Sequence, residues 1–468
     1  MIDWYQEVVA RQEDLLAAVE RLLRIPSVRD DTLASPECPV GPGPKAALDE
    51  FLVMADEAGF AWTSFGNLVA HIDWGEGKDL FGLLGHVDVV PAGDGWFSDP
   101  FVPTYQDGKL FARGALDDKG PLVAAFFAMT LLKEKGIVPK KTVRLIVGTD
   151  EESDWKCLQH YQTVCELPQT GFVPDAYFPI VNGEKGNASL VLTVSDQTVC
   201  SSDLSLVYFK AGLRENMVPD KAEALISGID LEVLKLAFTK FLSREKGITG
   251  QVEVTETGLR LLVRGQSAHG SKPEAGVNAA TYLAHFLAAW PFNRQAANHL
   301  VVLLDKILHL DYFGQAMGLA YSDHRMGRLT LNPGIISYQD GQPGRVLINI
   351  RYPKGVDLES AQQLITQKLL GTGVAFLLQP KQAPHYVPQE HPLVKTLLTI
   401  YHEQTGLPAY ERVIGGATYA RLMPEGVAFG ALFPDAIDTM HQANEHIDVE
   451  QLLLTCAMYA KALEALAC

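Results

Sequence analysis

The pattern of apolar residues changes character twice along this chain, and that change constrains the fold more than any single motif. Up to about position 186, short apolar runs at 67–72, 80–84 and 142–148 alternate with stretches whose apolar residues recur at helical spacing. The first helical stretch carries Val8, Leu15, Leu16, Val19, Leu22 and Leu23 and stops at Ile25-Pro26, since the residue before a proline is kept out of helical backbone. A glycine- and proline-rich stretch at 35–44 leads into a second helix over 46–58, and 121–133 reads as a buried helix. Strands alternating with helices predict an α/β domain, its mainly parallel sheet covered by helices on both faces.

Between 187 and 382 the period changes. ASLVLTV, GQVEVTETGLRLLVRG and GRVLINIRYP alternate every second residue, with the helices LEVLKLAFTKFL and NAATYLAHFLAAW among them. This predicts an α+β domain with an antiparallel sheet. PLVKTLLTIYHEQTG, VAFGALF and a last helix over 449–466 then resume the first style, with Asp448 and Gln451 set as a capping box. The expected organisation is one domain of 1–186 and 383–468, interrupted by an inserted domain of 187–382. At 468 residues the chain exceeds what one core supports, which fits that division.

Composition excludes several classes of function. A formal charge of −17 disfavours nucleic acid and anionic membranes as partners. No run approaches the roughly 20 apolar residues of a membrane span, and MIDWYQEVVARQEDLL lacks the features of a signal peptide. A cytoplasmic location is the expectation. The six cysteines are scattered without a CxxC pair, and we read them as reduced thiols without a shared role.

The chemistry is expected at strand ends. TVRLIVGTDEES delivers Glu151 and Glu152 to the end of an apolar run, LFGLLGHVDVVP ends another on His86 and Asp88, and RGALDDKG holds Asp117 and Asp118 between glycines. In parallel sheets, ligands bind beyond the carboxyl ends of the strands. Asp175 in FVPDAYFPIV and His441 in DTMHQANEH extend the polar set. Each motif read singly is ordinary; carboxylates that converge on one crevice need protons or cations to relieve their repulsion. Imidazoles and carboxylates without thiolates suit zinc, and also manganese or cobalt, and one carboxylate can bridge two ions at about 3.5–4 Å. Residues two apart on an extended segment point the same way, so the Asp88 carboxylate is expected to accept the second N–H of His86.

Taken together, LLRIPSV, GHVDVVPAG, RGALDDKG, GTDEES, VPDAYFPIVNGEKG, GQSAHGSKPEAGVNA and MHQANE resemble the di-metal aminoacylase, carboxypeptidase and dipeptidase family over essentially the whole chain. RENMVPD, NIRYP and GGATYAR add a likeness to the dipeptidases of lactic-acid bacteria within it. The resemblance implies two zinc ions bridged by Asp117, with His86 and Asp175 completing one site and Glu152 and His441 the other. It implies Glu151 as general base and a cis peptide at Asp117-Asp118. It makes the inserted domain a lid whose His269 reaches the carbonyl oxygen, with Asn216 and Arg351 gripping the substrate; a guanidinium suits a peptide's terminal carboxylate. Gly415 and Gly416 could bring backbone N–H groups at a helix start to the same carboxylate. His71, His160, His285, His324 and His446 match no motif.

The expected activity is hydrolysis of dipeptides with a free N-terminus by a zinc metallopeptidase. The alternatives are an N-acyl amino acid deacylase or carboxypeptidase on the same scaffold and, more remotely, a catalytically silent metal- or peptide-binding protein. Dimeric relatives carry a shorter lid and borrow its histidine from the partner subunit, so the long insertion predicts a monomer.

Overall fold

The computed structural model describes residues 2–196 and 198–468 and divides into two compact units, 1–183 with 386–468, and 184–385. In the first unit a nine-stranded sheet has four adjacent parallel strands at its centre: Thr142–Gly148, Leu80–His86, Thr170–Val173 and Glu425–Ala428. Val69–Trp74 and Ala61–Phe65 extend one side antiparallel, and Val181–Glu184 pairs antiparallel on the other. The sheet is thus parallel at its centre and antiparallel towards its margins, where the outermost strand Ala61–Phe65 meets water while Val69–Trp74 and Val181–Glu184 remain buried.

Alternation along the central strands assigns residues to two cores. Ala70, Leu83, Leu145, Val147, Phe172 and Val427 belong to the larger core, with the helices Gln12–Leu23, Pro42–Glu57, Lys119–Glu134, Pro392–Thr405 and Val449–Ala467. Their neighbours Val69, Leu84, Ile146, Val173 and Ala428 point the other way, into a smaller core with Cys157, Leu158 and Tyr161 of the Lys156–Val164 helix and Tyr419 and Ala420 of a short 3₁₀ turn. Helices therefore cover both faces. The predicted first helix is two, Trp4–Ala10 and Gln12–Leu23, separated at Arg11, whose φ of −117° and ψ of 23° leave the helical region. Asp448 caps the last helix by accepting the N–H of Gln451.

The second unit contains an eight-stranded, wholly antiparallel sheet in the order Thr249–Thr255, Gly258–Arg264, Lys221–Gly228, Leu204–Ala211, Thr330–Gln339, Gly344–Tyr352, Gly186–Val194, Val374–Gln382. Ala188, Leu190, Leu192 and Val194, like Val346, Ile348 and Ile350, occupy alternate positions and form one core with the helices Leu231–Arg244, Ala279–Leu287, Gln295–Leu303 and Leu358–Leu369. The period-two signal in the sequence is this one-sided packing. Among the described residues no helix is long and apolar enough to cross a membrane.

Candidate active site

Three adjacent parallel strands of the first unit deliver the polar residues. Leu80–His86 is the middle one and ends on His86 itself; Thr142–Gly148 and Thr170–Val173 flank it and run into the turns that hold Glu151, Glu152 and Asp175. Asp117 and Asp118 come from the turn before the Lys119–Glu134 helix, across a cis peptide bond. His441 sits in the left-handed region at φ 61° on the segment that precedes the His446–Asp448 strand.

The side chains converge. Asp117 reaches both histidines, with Oδ1 at 3.2 Å from His86 Nε2 and Oδ2 at 3.0 Å from His441 Nε2. Glu152 Oε1 lies 3.0 Å from the same His441 nitrogen, and Asp175 Oδ2 is 3.7 Å from His86 Nε2. Two groups of donor atoms, from His86, Glu151 and Asp175 and from His86, Asp117 and Glu152, lie within 4.8 Å of one another. His86 is fully buried, whereas the His441 side chain is 53 % exposed.

The expected contact from the Asp88 carboxylate to His86 is replaced by another. His86 Nδ1 donates to the backbone carbonyl of Asp88 at 2.9 Å, and its nearest distance to that carboxylate is 3.4 Å. The carboxylate turns instead to the next loop, where Oδ1 accepts the N–H of Glu151 and Oδ2 that of Glu152, each at 3.1 Å. Two backbone donors satisfy a buried carboxylate better than one shared imidazole. With Nδ1 committed as donor, Nε2 is the atom turned to the acids; it is buried and makes no well-aligned hydrogen bond. That nitrogen among carboxylates is the donor set a divalent cation takes.

On protein charges alone the acids crowd one another. Burial, then repulsion from Asp117, raises Glu152 to about 7 and Asp175 to about 6; burial and the Asp175 charge raise Glu151 well above the carboxylate range. Asp117 resists: burial opposes its ionisation, but its close contacts with the His441 and His86 imidazoles outweigh it and hold its carboxyl low. Burial likewise works against the charge on His86, which contacts with Asp117, Asp175 and Asp88 raise well above its usual value. One carboxylate here is strongly anionic and its neighbours are held back from ionising, which a cation would reverse.

A model of the family described as peptidase family M20/M25/M40 matches residues 82–465. The chain belongs to that family. Among curated proteins this M20 peptidase is 41 % identical over 470 residues, the full length of both chains, to "Putative dipeptidase YtjP" of Bacillus subtilis, and 41 % identical over 466 residues, 99 % of each chain, to a protein similarly named from Staphylococcus haemolyticus. Aminoacylhistidine dipeptidase from Vibrio alginolyticus has the same fold at 14 % identity, with a TM-score of 0.58 over 96 % of each chain.

In this M20 peptidase the second unit brings two of its expected residues together. The Gly270 N–H donates to the Asn216 carbonyl at 2.6 Å, Met217 pairs with His269, and a side chain at Gly270 would meet the Asn216 backbone at 2.9 Å. His269 is exposed, and its Nδ1 lies 2.7 Å from Ser271 Oγ. Arg351 is buried in the Gly344–Tyr352 strand, where its Nε donates to Asn349 at 2.9 Å. Gly415 and Gly416 precede the four-residue 3₁₀ turn Tyr419–Leu422, capped by Thr418, in place of the expected helix start.

Other residues hold the site without entering it; of these, Asp118 stood out in the sequence beside Asp117, whereas Asp150, Trp155 and Lys119 did not. Asp150 is fully buried, accepts Arg29 at 2.8 Å and the N–H of Lys156 at 2.8 Å, and so fixes the turn that carries Glu151. Trp155 Nε1 donates to the Glu151 carbonyl at 2.7 Å, and its ring packs edge-on against Tyr419. Asp118 Oδ2 accepts the His86 N–H at 3.2 Å. Lys119, fully buried, donates to the carbonyls of Leu22 and Ile25 at 2.9 and 2.7 Å, tying the end of one helix to the start of another. The signal for Asp150 was an acid beside acids; for Trp155 no signal distinguished it from a core aromatic.

Proposed function

We propose that this M20 peptidase hydrolyses dipeptides with a free N-terminus, using two divalent metal ions, with zinc the first choice. The observation that carries the reading is Asp117, whose two oxygens face His86 and His441 at 3.2 and 3.0 Å. Asp117 would be shared between the ions, with His86 and Asp175 on one and Glu152 and His441 on the other. The relatives named as dipeptidases at 41 % identity support the substrate class. Zinc is favoured over magnesium or calcium by two imidazoles in the set, and manganese or cobalt would also suit it.

When bound, the ions offset the charge of the clustered acids, polarise the scissile carbonyl and lower the pKa of the attacking water. The chain supplies the rest. Glu151 lies close enough to Asp175 and His86 to share an ion with them; in the ligand sets proposed here it stands outside both and would take the water proton and return it to the leaving amine. Asp88 fixes the Glu151 and Glu152 amides from behind. His269 is assigned to the developing oxyanion, Asn216 and Arg351 to the substrate, and the backbone at Gly415 and Gly416 to its carboxylate. The long second unit carrying its own His269 favours a functional monomer.

The test is a panel of free dipeptides, N-acetylated amino acids and longer peptides, assayed on metal-reconstituted enzyme. Preferential cleavage of free dipeptides is expected. Preference for N-blocked substrates would point to a deacylase, and for longer peptides to a carboxypeptidase.

A further inference from the structure

Glu445, four residues after His441, has no part in the ligand sets above, yet it is fully buried and uses both carboxylate oxygens on the segment that carries Asp117. Its Oε1 accepts three backbone N–H groups, from Gly114 at 3.1 Å, Leu116 at 2.9 Å and Asp117 at 3.1 Å. Its Oε2 takes Arg113 Nη1 at 2.6 Å, and its own carbonyl accepts the Ala112 N–H at 3.1 Å. Arg113 is buried as well; Nη2 donates to the Ala92 carbonyl at 3.2 Å and the guanidinium lies over Trp96 at 5.3 Å.

A buried carboxylate with a guanidinium and three amides is fully satisfied, and loss of one partner of such a pair is costly. All its bonds cross between two segments. One carries Asp117 and the other carries His441, whose side chains meet at 3.0 Å. Asp117 has further anchors: the neighbouring Asp118 holds the His86 N–H, and Gly120 N donates back to the Gly114 carbonyl at 3.2 Å. The His441 side chain is the more exposed of the two, at 53 % against a buried Asp117, and its segment has ties of its own. Asn444 accepts the Phe97 N–H at 2.9 Å and donates to the Gly95 carbonyl at 3.3 Å, and Asp438 accepts the Tyr177 hydroxyl at 2.9 Å.

We infer that Glu445, paired with Arg113, is a positioning residue that sets the distance between Asp117 and His441 and thereby selectively holds the ion of the Glu152–His441 site. The inference rests on the two-ion reading above. Removing Glu445 slackens both segments, so the Glu152–His441 site loses the placing of two ligands, Asp117 and His441, and the other site only that of the shared Asp117. The effect is therefore unequal between the two ions.

The test is calorimetric metal titration, with zinc and with manganese, of chelator-stripped wild type, Glu445→Gln and Glu445→Ala, alongside circular dichroism. Glu445→Gln keeps an acceptor for the three amides and loses the ion pair; Glu445→Ala loses both. Substitution of such supporting partners costs about 10–100-fold in metal affinity. The expected result is wild type binding two ions, Glu445→Gln losing about tenfold and Glu445→Ala about a hundredfold at one site, and a smaller loss at the other, where only the shared Asp117 is affected. Excess metal should then restore kcat in Glu445→Gln with KM unchanged, which a folding defect would not allow. If Glu445→Ala does not fold, Glu445→Gln decides alone. Wild-type affinity at both sites in Glu445→Gln, or equal loss at both, overturns the inference. Wild type that binds fewer than two ions overturns instead the two-ion reading.

Discussion

The Asp88 carboxylate accepts the backbone N–H of Glu151 at 3.1 Å, and its second oxygen accepts that of the following residue. A histidine-bearing strand end and the acidic turn beside it are thus joined through one carboxylate. Asp88→Asn would keep the size of the side chain but offer only one acceptor oxygen. It should lower kcat and metal affinity about 10–100-fold, with the circular dichroism spectrum unchanged. Steady-state kinetics and metal titration check this; a loss of folding with no specific loss of metal affinity would mean that Asp88 serves the core.

Glu151→Gln separates proton transfer from metal binding. The variant should retain both ions while kcat falls about 10²–10⁴-fold, the range that general acid–base groups supply. Metal content and turnover are measured on the same sample. Full metal content with near wild-type turnover would remove Glu151 from the mechanism.

The metal-free protein should become less stable as pH rises from about 5 to 8. Glu152 and Asp175 are raised in the fold, to about 7 and about 6, so across that window the folded chain holds protons that the unfolded chain has released. With more protons bound in the native state, stability falls with increasing pH. Metal binding needs those protons gone and so strengthens in the same direction. Thermal unfolding with chelator should show Tm falling over the window, and the increase in Tm on adding zinc should grow. His441 shifts with the same sign but is half-exposed, so solvent weakens its share.

Gly85→Ala tests the packing behind His86. A methyl group there would lie 2.7 Å from Asp118 Oδ2 and 2.9 Å from Leu122 Cδ1, both on buried residues. Overpacking of this kind costs about 1–3 kcal/mol. Denaturant unfolding should show that loss, with weakened metal binding because Asp118 also holds the His86 amide.

Prolonged chelation should abolish peptide hydrolysis, and adding back zinc, manganese or cobalt should restore it. Activity that persists in metal-free protein would overturn the metal assignment. The degree of recovery with each ion ranks their fit to the site.

The fold and the polar residues that converge at the candidate site were legible in the sequence because both leave periodic or local marks. The Thr142–Gly148 strand follows from its apolar run, and the change to period two after 187 reflects a sheet that packs its helices on one face. His86, Asp117, Glu152, Asp175 and His441 stood out as polar groups at the ends of apolar runs or within dense motifs. The supports were harder to see. The link between Glu445 and Arg113 spans 332 residues, and nothing local to either position indicates the other. The direction in which Asp88 turns depends on which neighbour offers two free amides, and that is a property of the assembled turn.

The order of the three site strands has a geometric consequence. His86 ends the middle strand, and the turns with Glu151, Glu152 and Asp175 leave its two neighbours. Strand spacing in a sheet is about 4.8 Å, whatever the loops do. The sheet acts as a ruler for where these turns begin: the backbone hydrogen bonds set the spacing of the three strand ends, and the short turns beyond them, that of Glu151 and Glu152 pinned by Asp88 and Asp150, carry the donors the rest of the way.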